Sequence, residues 1–213
     1  MESNWAAEHL QVIRTLMERS AVYRRALAPI MIFNGILGLA GALIGHIARI
    51  HAPRCFILYW VGVAVLALAA SFLLVRRQAL KESESFWSPP TRRVTQALVP
   101  ALAAGSIIGL IALQHVDSAP NQPGPVLALF WLPLIWVVLY GCAIHAAGFF
   151  MPRGMKIFGW IFILGGCGLL AMGIPDGVDR RVYAHGLMGF FFGLLHLGYG
   201  IYLYFTEQRK NAA

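Results

Sequence analysis

Six long apolar stretches constrain the fold of this chain more than any other feature of its sequence. A helix that crosses a membrane needs roughly 20 mostly apolar residues, because the hydrocarbon layer is about 30 Å thick. Six stretches reach that length, and none has an Asp, Glu or Arg in its interior. They are Leu27–Ala48, Phe56–Val75, Val94–Leu113, Val126–Phe150, Lys156–Ile174 and Tyr183–Phe205. We therefore predict an all-α integral membrane protein built as a bundle of six transmembrane helices.

The composition excludes a soluble domain. Of the 213 residues, 59% are hydrophobic and only 12% are charged, and the mean hydropathy is +0.68. A soluble protein needs about a quarter of its residues charged to cover its surface. The chain has 17 Lys and Arg against 9 Asp and Glu. These charges lie in short segments between the apolar stretches, which indicates contact with lipid headgroups and excludes nucleic acid as a partner.

The placement of the basic residues predicts the orientation. Thirteen of the 17 Lys and Arg fall in the N-terminal segment, the second and fourth loops and the C-terminal tail. Positive charge concentrates in cytoplasmic loops, so both termini are predicted to be cytoplasmic. Short loops and the lack of a removable signal peptide favour a multi-pass protein of the bacterial inner membrane.

The chain divides into three predicted parts: a cytoplasmic segment (1–25), the six-span membrane domain (26–206) and a cytoplasmic tail (207–213). In the first part, Trp5, Leu10 and Ile13 recur at helical spacing, opposite Glu8 and Arg14. This pattern predicts an amphipathic helix that lies in the membrane interface. A helix docked on the inner face of the bundle is the alternative.

Small residues indicate which helix faces pack together, because helices in lipid associate through close contact of their backbones. The predicted packing positions are Gly38, Gly41, Gly45, Gly189, Gly193 and Gly200. In the sixth predicted helix, His185 and His196 fall on the same stripe as the glycines. Leu187, Phe191 and Leu194 lie on the opposite face, which is expected to contact lipid.

Four histidines lie inside the predicted spans or at their edges. His46 and His185 have equal predicted depth near the outer surface, whereas His145 and His196 lie nearer the inner one. Two histidines from neighbouring helices can hold haem b, or copper or zinc if further ligands are present. Alternatively, the imidazoles are structural and donate hydrogen bonds across tight glycine contacts. If a cofactor binds, we expect it between His46 and His185.

The sequence favours a non-enzymatic function, because none of its spans contains a carboxylate for a proton relay and no phosphate-binding loop is present. The leading expectation is a membrane protein that binds a protein partner, a second copy of itself or a small apolar ligand. A haem b-binding redox subunit that uses the intramembrane histidines is the first alternative. A transporter of a neutral solute is the second.

Overall fold

The computed structural model describes residues 26–81, 87–116, 127–152, 154–173 and 179–212. Within these ranges, six helices are long and apolar enough to cross a membrane, and no strand is present. The predicted number of six is confirmed. The first three helices are α1 (Ala26–Ile47), α2 (Pro53–Lys81) and α3 (Pro89–His115).

The other three helices include two π-helical segments. A π-helical turn, Leu127–Trp131, leads into α4 (Leu132–Ala147), and α5 covers Gly154–Met172. Helix α6 covers residues 180–212 in three consecutive parts, which are Arg180–Met188, the π-helical Gly189–Leu195 and His196–Ala212. The predicted amphipathic segment at residues 1–25 lies outside the described residues.

Helices α2 and α3 are longer than their predicted spans, with 29 and 27 residues. Pro89 and Pro90 begin α3, where the missing amide hydrogen of proline costs nothing. The hydroxyl groups of Ser88 and Thr91 form a hydrogen bond of 3.0 Å beside this first turn. One end of the bundle carries Lys81, Pro89, Gly154 and Lys156, and it is called the Lys156 end. The opposite end is called the His185 end.

Helices α1 and α6 run antiparallel with their backbones in contact. A Cβ atom added to Gly193 would lie 2.8 Å from the backbone nitrogen of Leu39, and one added to Gly200 would lie 2.7 Å from that of Ile32. A Cβ at Gly189 would lie 2.6 Å from the Cβ of Ala42. These distances leave no room for a side chain, so glycine is the only residue that permits this approach.

A second close pair is formed by α4 and α5. A Cβ at Gly141 would lie 2.8 Å from the Cβ of Phe162, and one at Gly159 would lie 2.6 Å from the backbone nitrogen of His145. Helix α6 also packs on α5, since a Cβ at Gly165 would lie 2.9 Å from the ring of Phe191. Helices α1, α4, α5 and α6 are called the close-packed group.

Helices α2 and α3 flank this group and bury fewer of their residues. In the most apolar part of each helix, 11% of the residues of α2 and 17% of those of α3 are buried, compared with 28% to 56% in the four helices of the close-packed group. Helix α3 rests on α4, where the indole nitrogen of Trp136 donates a hydrogen bond of 2.9 Å to the Gly105 carbonyl. Phe56, Ile57 and Trp60 are buried where α2 starts, near the His185 end.

On the face of α6 that was expected to contact lipid, Leu194 is 52% exposed, as that expectation requires, but Leu187 and Phe191 are buried. These two side chains are only 6% and 3% exposed. Helix α6 contacts α1 with one face and α5 with another, so two of its faces are covered. The π-helical segment also changes the helical phase, because it has more residues per turn than an α-helix.

Candidate functional site

Buried polar side chains are few, and two of them come from α6. Among the described residues, Thr91, His185 and His196 are the buried polar side chains. His185 and His196 are each 2% exposed. A buried polar group without a partner costs about 1–3 kcal/mol, so their hydrogen bonds decide what these imidazoles do.

Both ring nitrogens of His185 are used by the neighbouring helix and loop. Its Nε2 lies 3.0 Å from the carbonyl oxygen of Ile50, and its Nδ1 lies 3.3 Å from the indole nitrogen of Trp60. A carbonyl can only accept and an indole can only donate. Nε2 therefore carries the hydrogen, Nδ1 accepts from Trp60, and the imidazole is neutral.

The surroundings of His185 join α1, α2 and α6 at one end of the bundle. Gly45 of α1 lies directly against the imidazole, and a Cβ there would be 2.6 Å from Nδ1. The rings of Phe56 and Tyr59 contact the imidazole with centroids 5.1 and 6.2 Å away. This arrangement of His185, Trp60, Ile50 and Gly45 is called the His185 junction.

Arg49 shapes the turn that brings the Ile50 carbonyl to this junction. Its φ of 52° lies in the left-handed region, which residues other than glycine rarely adopt. The Ile50 amide donates a 3.0 Å hydrogen bond to the Gly45 carbonyl, which closes α1. This bond fixes the turn, so that the Ile50 carbonyl is directed at α6.

His196 forms a similar junction between α4, α5 and α6. Its Nδ1 lies 3.0 Å from the Phe191 carbonyl, and its Nε2 lies 2.6 Å from the Tyr140 hydroxyl. Nδ1 must donate to the carbonyl, so Nε2 accepts from the hydroxyl group. The rings of Phe158 and Phe162 of α5 contact the imidazole edge-on. His196, Tyr140 and the Phe191 carbonyl are called the His196 junction.

The two junctions use the same chemistry. In each, one imidazole nitrogen donates to a backbone carbonyl and the other accepts from an aromatic residue on a different helix. Neither imidazole keeps a free lone pair for a metal in this arrangement. What this arrangement provides is geometric: it fixes the positions of three helices relative to one another.

The predicted outer pair has one buried member and one exposed member. Helices α1 and α6 are neighbours, as that hypothesis requires. His46 is exposed and follows Gly45, whereas His185 is buried with both nitrogens bonded elsewhere.

The predicted inner pair is divided by α5. His145 is half-buried, with its Nδ1 3.4 Å from the Lys156 carbonyl and its ring against Trp160. His196 contacts Phe158. Two successive residues add to about 200° around a helix, so Trp160 and Phe158 lie on opposite faces of α5. The structure does not bring these two imidazoles together.

A third polar contact joins α1 and α2. The Asn34 side-chain amide donates a 3.1 Å hydrogen bond to the Ser71 hydroxyl, which donates in turn to the Ala67 carbonyl. The Asn34 Oδ1 atom is buried without a partner. This contact is therefore less completely satisfied than either histidine junction.

Trp60 and Tyr140 were not predicted as hydrogen-bond partners of the histidines. Each is an aromatic residue with a hydrogen-bond donor, but nothing in the sequence gives the order of helices around the bundle. Among the described residues, no group of three or more His, Cys, Asp or Glu side chains is placed to hold a metal ion. Comparison with known proteins gives no match: no family model, curated protein or solved structure is significantly similar to the chain.

Proposed function

We propose that this chain is a non-enzymatic, multi-pass protein of the bacterial inner membrane that functions by binding another membrane protein. In this proposal the Lys156 end is cytoplasmic and the His185 end is external. The asymmetric placement of Lys and Arg supports that orientation, because cytoplasmic loops are enriched in both. The glycine contacts and the two histidine junctions then hold the bundle together within the bilayer.

The observation that carries the proposal is the hydrogen bonding of His185 and His196. Axial ligation of haem iron, or coordination of another metal, needs an imidazole nitrogen with a free lone pair. Both nitrogens of each imidazole are already bonded to protein groups. The haem b alternative gains less support, since axial ligation by either histidine would require a buried hydrogen bond to break.

The surface of α2 and α3 is the proposed binding surface. Leu66 of α2 and Leu110 of α3 are 60% and 61% exposed. Gly62 of α2 has no atom within 4 Å of the position that a Cβ would occupy. No contact within the described chain uses this glycine, whereas a partner helix could approach closely there. The proposed partner is thus an apolar transmembrane helix.

Photo-crosslinking in intact membranes tests this proposal. A photoreactive residue at Leu66 should give one discrete protein adduct, and the same residue at Leu164 of α5, which is 64% exposed, should give none. Gly62→Leu should abolish the adduct by blocking the approach, without lowering the Tm of the purified protein. Gly168→Leu on α5 is the matched control, because a Cβ there also meets no atom within 4 Å.

Two results would overturn the proposal. One is crosslinking at Leu66 that yields only lipid adducts, as at Leu164. The other is a reduced-minus-oxidised absorption band of haem in the purified protein that disappears in a His185→Asn or His196→Asn variant. The second result would instead favour the redox alternative.

A further inference from the structure

Five basic side chains lie together where α2 ends and α3 begins. They are Arg76, Arg77, Lys81, Arg92 and Arg93, and all five are exposed. The nearest carboxylates in the sequence, Glu82 and Glu84, lie outside the described residues. Within the described ranges the acidic residues are Asp179, at the His185 end, and Glu207, in the last part of α6. This cluster is called the basic end.

Helix length places the basic end at the depth of lipid headgroups. About 20 residues of α-helix span the roughly 30 Å of hydrocarbon. Counting 20 residues from Pro53 along α2 reaches residue 73, and counting back from His115 along α3 reaches residue 95. All five cations lie beyond these limits, within roughly the next 12 Å of helix. They therefore lie in the headgroup layer of a single leaflet.

The two helices carry these cations at the same end of the bundle. Ala79 of α2 and Thr91 and Val94 of α3 are buried at this end, at 4%, 6% and 3% exposure. Helices α2 and α3 contact each other. Trp87, in the short connection before α3, is 59% exposed, and tryptophan is enriched at the membrane interface. The basic end thus lies beside the contact between α2 and α3, with an exposed tryptophan in the connection.

We propose that the basic end binds the phosphate groups of anionic phospholipids in the leaflet that faces the Lys156 end. Four of the five cations are arginines, whose planar guanidinium groups match phosphate oxygens in a bidentate geometry. A cation close to an anionic membrane surface contributes about fivefold in affinity, and this contribution weakens as salt rises. This binding is independent of the protein partner proposed above.

Lipid titrations of the purified full-length protein in detergent test this inference. The probe is phosphatidylglycerol with a fluorescent label on one acyl chain, and phosphatidylcholine with the same label is the reference. Fluorescence anisotropy should show tighter binding of phosphatidylglycerol, and the difference should vanish at about 0.5 M salt. Arg76→Gln/Arg77→Gln should weaken phosphatidylglycerol binding by roughly 25-fold. Arg76→Lys/Arg77→Lys should weaken it less, because lysine keeps the charge but loses the bidentate geometry.

A double variant at the other end is the matched control. Arg49 and Arg180 are exposed at the His185 end, and Arg49→Gln/Arg180→Gln should leave lipid binding within about twofold of wild type. Arg92→Gln/Arg93→Gln gives an independent measurement if the first variant fails to fold. Because these titrations contain no other protein, their outcome does not depend on the crosslinking result.

Three outcomes would overturn the inference. The first is equal affinity for the two lipids in low salt. The second is an equal loss of phosphatidylglycerol binding in the control variant and in the variants of the basic end. The third is displacement of the labelled lipid by inorganic phosphate or polyglutamate at concentrations at which unlabelled phosphatidylglycerol has no effect. That third result would assign the basic end to a soluble anion or an acidic protein.

Discussion

The close-packed group and the flanking helices α2 and α3 are all apolar enough to cross a membrane, yet they use their side chains differently. In the close-packed group, glycines bring backbones into contact and two buried imidazoles bond across helices. Along α2, leucines and Gly62 face outward with little protein around them. Burial from water cannot distinguish these regions in a bilayer, because lipid is as apolar as leucine. Steric fit and hydrogen bonding are what separate them.

The largest expected effect concerns the orientation of the flanking helices. A reporter that is active only in the cytoplasm should be active when fused after Arg77 and inactive when inserted at Gln122. The asymmetry of Lys and Arg is the physical reason, since basic loops resist translocation. An active reporter at Gln122 would reverse the orientation assigned to both ends of the bundle. Fusion at the C-terminus is the positive control.

A large loss of stability is expected when a contact glycine is enlarged. Gly193→Leu places a side chain where the Leu39 backbone nitrogen lies, only 2.8 Å from a Cβ. Overpacking costs about 1–3 kcal/mol, and more where backbones touch. Gly198→Leu in the same helix should be mild, because a Cβ at Gly198 meets no atom within 4 Å. Thermal unfolding in detergent measures the Tm of both variants. Equal Tm values would mean that the contact glycines do not set the close-packed group apart from the flanking helices.

A moderate loss is expected when an aromatic donor is removed from a histidine junction. Tyr140→Phe leaves Nε2 of His196 without its donor, and Trp60→Phe does the same to Nδ1 of His185. Each change should lower the free energy of unfolding by about 1–2 kcal/mol. Tyr202→Phe is the control, since Tyr202 is 61% exposed. If Tyr140→Phe and Tyr202→Phe unfold at the same temperature, the His196 junction contributes nothing to stability.

The smallest effect is expected at the contact between the two regions. Asn34→Leu removes the 3.1 Å hydrogen bond to Ser71 but also removes an amide oxygen that is buried without a partner. These changes oppose each other, so the free energy of unfolding should change by less than about 1 kcal/mol. Ser71→Ala, which leaves the whole Asn34 amide unpaired, should destabilise more. The reverse order in thermal unfolding would contradict this interpretation.

The helices could be predicted from the sequence because span length and charge exclusion are local properties. Each of the six predicted stretches overlaps a helix of the structure. The extensions of α2 to Lys81 and of α3 to Pro89 were missed, because a helix can continue into the polar layer after its apolar residues end. Hydropathy measures the membrane span, whereas hydrogen bonding determines where a helix ends.

The surroundings of the histidines could not be predicted, because they depend on which helices are neighbours. Equal depth predicts that His46 and His185 lie near each other, and this stays a prediction. Depth alone could not predict that the imidazole of His185 lies on Gly45 and bonds to Trp60 and Ile50. The face of α6 expected to contact lipid is buried at Leu187 and Phe191 because α6 packs on α5 as well as on α1. Both the contacts of His185 and the burial of Phe191 depend on the order of the helices in space.

The hydrogen bond between His185 and the Ile50 carbonyl joins residues 135 positions apart in the sequence. Ile50 lies in the turn after α1, and His185 lies in α6, the last helix. At typical rates of synthesis, roughly 7–27 s separate the emergence of the two residues from the ribosome. During that interval α1 has been made, but the helix that covers its glycines has not. The newly made chain must therefore wait for its final helix before the bundle can close, and any truncation that removes α6 leaves the glycine face of α1 uncovered. Membrane proteases that recognise unassembled helices would thus act on incomplete chains first.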